Sequence, residues 1–275
     1  MLVDIDPDTW NINIEKAALA ITPRTKAIMP VHLYGHPCDM DAICMLAKEY
    51  NLLIIEDCAE ALGSYYKDQP VGTFGDASTF SFFGNKTITT GEGGMVLFND
   101  EVVAEKAATL RDHGMQKGRR YWHSEVGYNY RLTNLQAAIG VAQFERLDEF
   151  VSAKRKIAKT YNEALSSIPY FKIPAEKPGT INSYWLYTFI VKPESPFTRD
   201  DLINHLNQHG IETRPVFYPI HVMPPYINFG KSSLLTTSMS ISKCGISLPT
   251  SVNLTEMELA YICKTISQFA KKQLG

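Results

Sequence analysis

The sequence predicts an α/β protein in which a mostly parallel sheet carries helices on both faces and a smaller α+β domain follows. Two short apolar runs, at residues 26–31 and 52–55, flank a helical pattern that Asp39 caps. Strand, helix and strand in this order make a βαβ unit. Every position of 52–55 is apolar, which is typical of a parallel strand buried on both faces.

The remaining pattern extends this reading to the end of the chain. Residues 2–5 also have a strand pattern, although nothing precedes them. The composition becomes rich in Pro and Gly after Ser166, which indicates a linker. We therefore predict a large domain at residues 1–150, and a linking helix with a small C-terminal domain at residues 151–275. The other predicted elements are strands at 77–83, 94–98 and 184–191, and helices at 101–111, 133–150, 151–165, 198–209 and from 255 onward.

The overall composition excludes several classes of function. The chain has 275 residues, 45% of them hydrophobic, which is enough for a sizeable core. Its net charge of −2 gives no general electrostatic reason to bind nucleic acid or an anionic membrane. No apolar run approaches the ~20 residues that span a bilayer. The five cysteines form no CxxC pair, so we predict no metal site and a cytoplasmic protein with reduced thiols.

Lys86 is the first candidate catalytic residue. It lies between the aromatic and small residues of 82–85 and the glycine-rich loop 91–94. Burial among such residues lowers the pKa of a lysine, and a neutral amine is what Schiff-base chemistry requires. For an isolated lysine, an exposed loop position remains the alternative.

Three further residues lie where predicted strands end. Asp57 follows the run 52–55, Glu60 comes three residues later, and Ser81 is in the strand before Lys86. Ligands of open α/β sheets bind at the carboxyl ends of the strands. Asp57 could equally cap a helix, Glu60 could be a solvated surface acid, and Ser81 could satisfy backbone groups.

Two other segments carry polar groups suited to a ligand. Asn129 lies just before the helix that Thr133 caps, and a helix N-terminus favours anions. Arg214, Tyr218 and His221 lie on a proline-rich extended segment and suit a phosphorylated or sugar ligand. A hydrophobic linker packed against the body is the alternative interpretation of that segment.

Together these motifs resemble a known family. The runs EDCAEA at 56–61, SFFGNK at 81–86, GEGG at 91–94 and GYNYR at 127–131 resemble the DegT/DnrJ/EryC1/StrS sugar aminotransferases. Members of this family use pyridoxal 5'-phosphate (PLP) and have the aspartate-aminotransferase fold, PLP fold type I. The resemblance extends from about residue 3 to the C-terminus.

The resemblance implies a role for each matching residue. Lys86 would bind PLP covalently, and Asp57 would pair with its pyridinium nitrogen. Glu60 would touch the ring and its 3-oxygen, and Ser81 would bind the phosphate. Asn129 would reach the cofactor phosphate of a neighbouring subunit, so the resemblance implies a homodimer with shared active sites.

The implied reaction transfers an amino group from L-glutamate to C4 of a nucleotide-linked 4-keto-6-deoxy sugar for polysaccharide biosynthesis. The candidate substrate is GDP-4-keto-6-deoxy-D-mannose, and Arg214, Tyr218 and His221 would help to bind it. A related branch of the family removes a 3-hydroxyl and has His in place of the lysine. Lys86 therefore favours transamination.

Two other functions are weighed against this one. Family members have an N-terminal portion, with part of the phosphate site, before the strand predicted at residues 2–5. Its absence here predicts a weaker cofactor site, and it supports a truncated, non-catalytic remnant that binds a nucleotide sugar or a partner subunit. A nicotinamide-dependent dehydrogenase is disfavoured, because no GxGxxG follows a predicted strand.

Overall fold

The computed structural model describes residues 1–229 and 235–274. Helix N-termini fall where capping residues occur in the sequence: Asp39, Thr133 and Thr198 each accept a backbone hydrogen bond from their own helix. The helices are α1 (Ile14–Ala20), α2 (Met40–Tyr50), α3 (Glu101–Arg111), α4 (Asn134–Phe144), α5 (Leu147–Leu165), α6 (Arg199–Gln208), α7 (Thr236–Cys244) and α8 (Glu256–Leu274).

Within the described residues, the strands form three small sheets. Their order is β1-β2-β5-β6 in the first, β10-β11-β9-β7 in the second and β4-β3-β8 in the third. The strands are β1 (Ala27–Ile28), β2 (Leu53–Asp57), β3 (Tyr65–Tyr66), β4 (Gln69–Pro70), β5 (Ala77–Ser81), β6 (Gly94–Phe98), β7 (Phe171–Lys172), β8 (Thr180–Ile181), β9 (Tyr187–Val191), β10 (Arg214–Pro215) and β11 (Gly245–Leu248).

The first sheet positions the candidate site. β1 pairs with β2 and β2 with β5 in parallel, whereas β6 runs antiparallel to β5. Asp57 is in register with Thr79, so Asp57 and Ser81 end their strands at the same edge of the sheet. The mostly parallel arrangement and the α/β class are therefore confirmed.

Three details of the sequence prediction are wrong. Strand β2 is not buried on both faces, because Leu53 is 55% exposed while Ile54 is buried. Residues 2–5 form no strand, and only Ile5 makes an isolated bridge, to Ile12. The helix predicted at 133–150 ends at Phe144, and α5 begins three residues later.

The C-terminal half has its own apolar core. Strand β9 is buried at all five positions, and α5, α6 and α8 pack over the antiparallel sheet that contains it. A separate apolar cluster joins α2 to β1 and β2. The division at residue 150 stays a prediction. Within the described part of the chain, no helix is both long and apolar enough to cross a membrane.

Candidate active site

Lys86 sits in a tight turn beside a buried tryptophan. Its backbone N–H donates to the Phe83 carbonyl at 3.0 Å, which closes the turn after β5. The Lys86 Nζ atom lies 3.9 Å from the centroid of the Trp185 ring. The Trp185 Nε1–H donates to the Asn85 carbonyl at 2.7 Å. Trp185 thus contacts both the amine and the turn that carries it.

Burial changes the ionisation of the Lys86 amine. The pKa of Lys86 lies below its usual value because the half-buried amine loses water, although Glu60 and Asp57 oppose this shift. A lowered pKa increases the neutral fraction at a given pH, and the neutral amine is the nucleophile. The desolvation expected from the sequence is therefore present.

Glu60 and Asp57 face the same region as Lys86. Burial raises the pKa of Glu60 to about 7; Asp57 adds to this shift, while the Lys86 charge and a backbone hydrogen bond oppose it. The bond comes from the Tyr34 N–H, which donates to Glu60 Oε2 at 2.8 Å. Asp57 Oδ1 accepts from the Ala59 N–H at 3.0 Å. The fold therefore brings one amine and two carboxylates into electrostatic contact.

Tyr34 is a part of the site that the sequence did not indicate. It is buried and has a left-handed backbone, with φ of 54°, a conformation that costs free energy in a non-glycine residue and is frequent at functional sites. Its ring lies nearly parallel to Trp185 and Phe217, at centroid distances of 6.1 and 5.6 Å. These rings connect the lysine turn to the C-terminal segment.

Gly35 allows this approach of the two halves. It also has positive φ, of 98°, and a Cβ there would lie 2.7 Å from the Tyr184 backbone nitrogen. Any side chain would push residues 182–185 away. The segment that carries Trp185 can therefore pack against the Tyr34 turn only because residue 35 is glycine.

Behind the site, Glu56 forms a buried polar cluster with His32. The His32 Nε2–H donates to Glu56 Oε2 at 3.1 Å, and His32 Nδ1 accepts from the Cys38 N–H. The Glu56 carboxylate also accepts backbone N–H groups from Gly72, Phe74 and Gly75. Cys58 completes a group whose ligand atoms lie within 4.8 Å of one another. The imidazole and the carboxylate are already hydrogen-bonded to one another and to backbone N–H groups. The cluster therefore stabilises the end of β2, and its imidazole and carboxylate have no lone pair left for a metal.

Ser81 adjoins the Lys86 turn, whereas Asn129 lies on the exposed segment after α3. Ser81 ends β5, and its Oγ accepts from the Phe83 N–H at 3.3 Å. This places its hydroxyl at the start of the Lys86 turn. Asn129 is exposed and bridges to Asp112 after α3, and its Oδ1 accepts from Arg131 Nε. Within residues 1–229 and 235–274, no hydrogen bond joins Asn129 to Lys86.

The C-terminal candidates separate into exposed and buried groups. Arg214 is exposed in β10, and Tyr218 is 72% exposed, whereas His221 is buried. Tyr218 and His221 line a cavity of about 850 Å³ that Tyr34 and Phe217 also border. Arg214 and Lys86 are outside its lining. The cavity therefore adjoins the lysine site through the aromatic rings.

Sequence similarity to known proteins identifies the family of this chain. The model of the DegT/DnrJ/EryC1/StrS aminotransferase family matches residues 1–267. The chain belongs to this family. It is 47% identical over 269 residues to a GDP-perosamine synthase of Escherichia coli O157:H7, covering 98% of this chain and 72% of that protein. It is 44% identical to a GDP-perosamine synthase of Vibrio cholerae, covering 98% of this chain and 73% of that one.

The fold of this DegT/DnrJ/EryC1/StrS family member is also shared with solved structures. The PLP form of a Streptococcus pneumoniae protein assigned as a sugar aminotransferase aligns with a TM-score of 0.91 and 27% identity. The alignment covers 100% of this chain and 76% of that one. The family and the fold type I architecture are thereby established, and the protein is an aminotransferase.

The sequence missed Trp185, Tyr34 and His32. The contacts that matter for each are made with residues distant in the chain, and Trp185 donates to a carbonyl 100 residues away. Nothing local distinguishes Trp185 from any aromatic residue before a strand. A glycine at 35 beside Tyr34 was the one available signal for a tight approach.

Proposed function

We propose that this protein uses PLP to transfer an amino group from L-glutamate to C4 of a nucleotide-linked 4-keto-6-deoxy sugar. The specific substrate we propose is GDP-4-keto-6-deoxy-D-mannose, with GDP-perosamine as the product for O-antigen biosynthesis in the cytoplasm. The names of two relatives at 47% and 44% identity support that choice. The observation that carries the proposal is the half-buried Lys86 amine acting with Glu60 and Asp57.

The residues around Lys86 fit PLP. A partly neutral amine suits reaction with an aldehyde. Asp57 lies at the carboxyl edge of the sheet and suits a protonated ring nitrogen, and Glu60 suits the ring and its 3-oxygen. The Ser81 hydroxyl at the start of the turn can donate to a phosphate. When bound, PLP supplies the electron sink that stabilises a developing carbanion.

In this proposal Lys86 is the proton carrier. Its Nζ would take the proton from the α-carbon of glutamate and pass it to C4′ of the cofactor in the first half-reaction. In the second, it would take a proton from C4′ and pass it to C4 of the sugar. The lowered pKa of Lys86 suits both tasks, because desolvation increases the fraction of neutral amine that can accept a proton. Asp57 would hold a proton on the cofactor ring nitrogen throughout.

We also propose that the active unit is a homodimer in which Asn129 serves the partner's cofactor. Support comes from exposed apolar side chains on β6 and on α4, the helix that begins five residues after Asn129. Strand β6 exposes Met95 and Val96 at 48% and 50%, and α4 exposes Leu135 and Phe144 at 80% and 60%. In this proposal these side chains belong to the surface that the partner subunit covers, since exposed apolar patches mark interaction sites.

Borohydride trapping tests the central claim. The protein is incubated with PLP, reduced, and analysed by intact mass and peptide mapping. We expect one added pyridoxyl group on Lys86, lost in Lys86→Ala and retained in Lys117→Ala, whose side chain is 94% exposed. An unmodified Lys86 peptide would exclude PLP catalysis by this chain.

Turnover separates the enzyme from a non-catalytic remnant. We expect glutamate-dependent amination of GDP-4-keto-6-deoxy-D-mannose, measured by mass spectrometry. Stabilisation by the nucleotide sugar without any amination would support the remnant instead. For the shared site, mixing inactive Lys86→Ala with inactive Asn129→Ala should restore part of the activity through hybrid dimers, and no restoration would contradict it.

A further inference from the structure

Trp185 is held at both its side chain and its backbone. It is 4% exposed, and its Nε1–H donates to the Asn85 carbonyl at 2.7 Å. Its own carbonyl accepts from the buried Lys154 amine at 3.2 Å. The residue therefore links α5, the start of β9 and the turn that ends at Lys86.

The ring of Trp185 lies beside the amine of Lys86. The Nζ atom is 3.9 Å from the ring centroid, which is within the range of a cation–π attraction. The same ring is nearly parallel to Tyr34, whose backbone N–H binds Glu60. One aromatic group thus contacts the amine and, through Tyr34, the carboxylate side of the site.

We propose that Trp185 is a positioning residue for the amino transfer assigned to Lys86. Its ring holds the amine, and its indole N–H fixes the turn that carries Lys86. The proposal rests on the proposed function. Among the described residues, the charged groups that act on Lys86 are Glu60 and Asp57. Trp185 is the uncharged aromatic residue that contacts the amine.

The two contacts of Trp185 can be removed separately. Trp185→Phe keeps an aromatic face and removes the indole N–H. Trp185→Leu removes both and keeps the surroundings apolar. Trp122→Leu is the matched control, because Trp122 is exposed and stacks on Arg119, 3.7 Å from its ring centroid.

Competitive acetylation across a pH series tests the contact between the Lys86 amine and the ring. The measured quantity is the midpoint pH at which Lys86 becomes reactive. The acetylation is applied to the full chain without added PLP, and the Lys86 peptide is quantified by mass spectrometry. In Trp185→Leu, the midpoint for Lys86 should fall by about half a pH unit, because the ring no longer stabilises the ammonium. In Trp185→Phe and Trp122→Leu it should stay near the wild-type value. Should Trp185→Leu not fold, Trp185→Met takes its place.

The rate of PLP attachment to Lys86 tests the contribution of the indole hydrogen bond to Asn85. Trp185→Phe should attach PLP about fivefold more slowly, the effect of losing one hydrogen bond of about 1 kcal/mol. If Trp185 were merely structural, its substitution would lower the melting temperature and leave both the acetylation midpoint and the attachment rate unchanged. That result would overturn the proposal. If wild type itself attaches no PLP, the proposed function fails, and the acetylation midpoints alone still decide the role of Trp185.

Discussion

Glu56→Gln provides a quantitative test of how the sheet beneath the site is held. The Glu56 side chain is fully buried, and its two oxygens accept four hydrogen bonds. Phe74 and Gly75 donate to Oε1, and Gly72 and His32 donate to Oε2. Glutamine retains one oxygen, and its amide nitrogen would face two N–H donors. The substitution therefore removes two of the four bonds, whichever way the amide turns.

The expected loss follows from those two bonds. Hydrogen bonds to a charged group contribute about 1.5–3 kcal/mol each, so Glu56→Gln should lower the free energy of unfolding by about 3–6 kcal/mol. This is a large part of the ~5–15 kcal/mol that stabilises a typical domain. Urea unfolding followed by circular dichroism measures it. Glu105→Gln is the control, because Glu105 is 66% exposed and its ion pair spans 3.8 Å.

The pH dependence gives a second measurement of the same variant. Burial alone would raise the pKa of Glu56, but the hydrogen bonds from His32, Gly72 and Gly75 hold it below 4.5. A depressed pKa contributes stability above 4.5 that is lost as the pH falls through the folded-state value. The advantage of wild type over Glu56→Gln should therefore shrink in acid. A difference below about 1 kcal/mol at pH 7 would refute this account of the cluster.

Three further variants test other buried or capping groups. Because the pKa of Glu60 is raised to about 7, wild-type stability should fall by up to about 3 kcal/mol between pH 4.5 and 7 relative to Glu60→Gln in urea titrations; parallel curves would contradict this. Burial lowers the pKa of Lys154 to about 8, so wild type should gain stability from pH 8 to 10.5 relative to Lys154→Met, and a constant difference would count against it. Thr198 caps α6 in a reciprocal capping box with Asp201, and Thr198→Ala should cost about 1 kcal/mol in thermal unfolding, whereas an unchanged melting temperature would show that the cap contributes nothing.

Local signals in the sequence were sufficient for most of the regular structure. The helices after Asp39, Thr133 and Thr198 begin where the capping residues indicated, because capping involves atoms within one turn of the chain. The motif around Lys86 indicated the family, which the family match confirms. Burial was predicted less well. An apolar residue such as Leu53 is exposed here because burial depends on which neighbours cover a strand.

By itself, the sequence determined the α/β class, the family and the candidate lysine. Only the tertiary structure decided the surroundings of that lysine: the Trp185 ring over the amine, the Tyr34 N–H on Glu60 and the saturated carboxylate of Glu56. The physical reason is that desolvation, ring contact and hydrogen-bond saturation are made between residues far apart in the chain. No local pattern specifies which distant side chain will fill a given space.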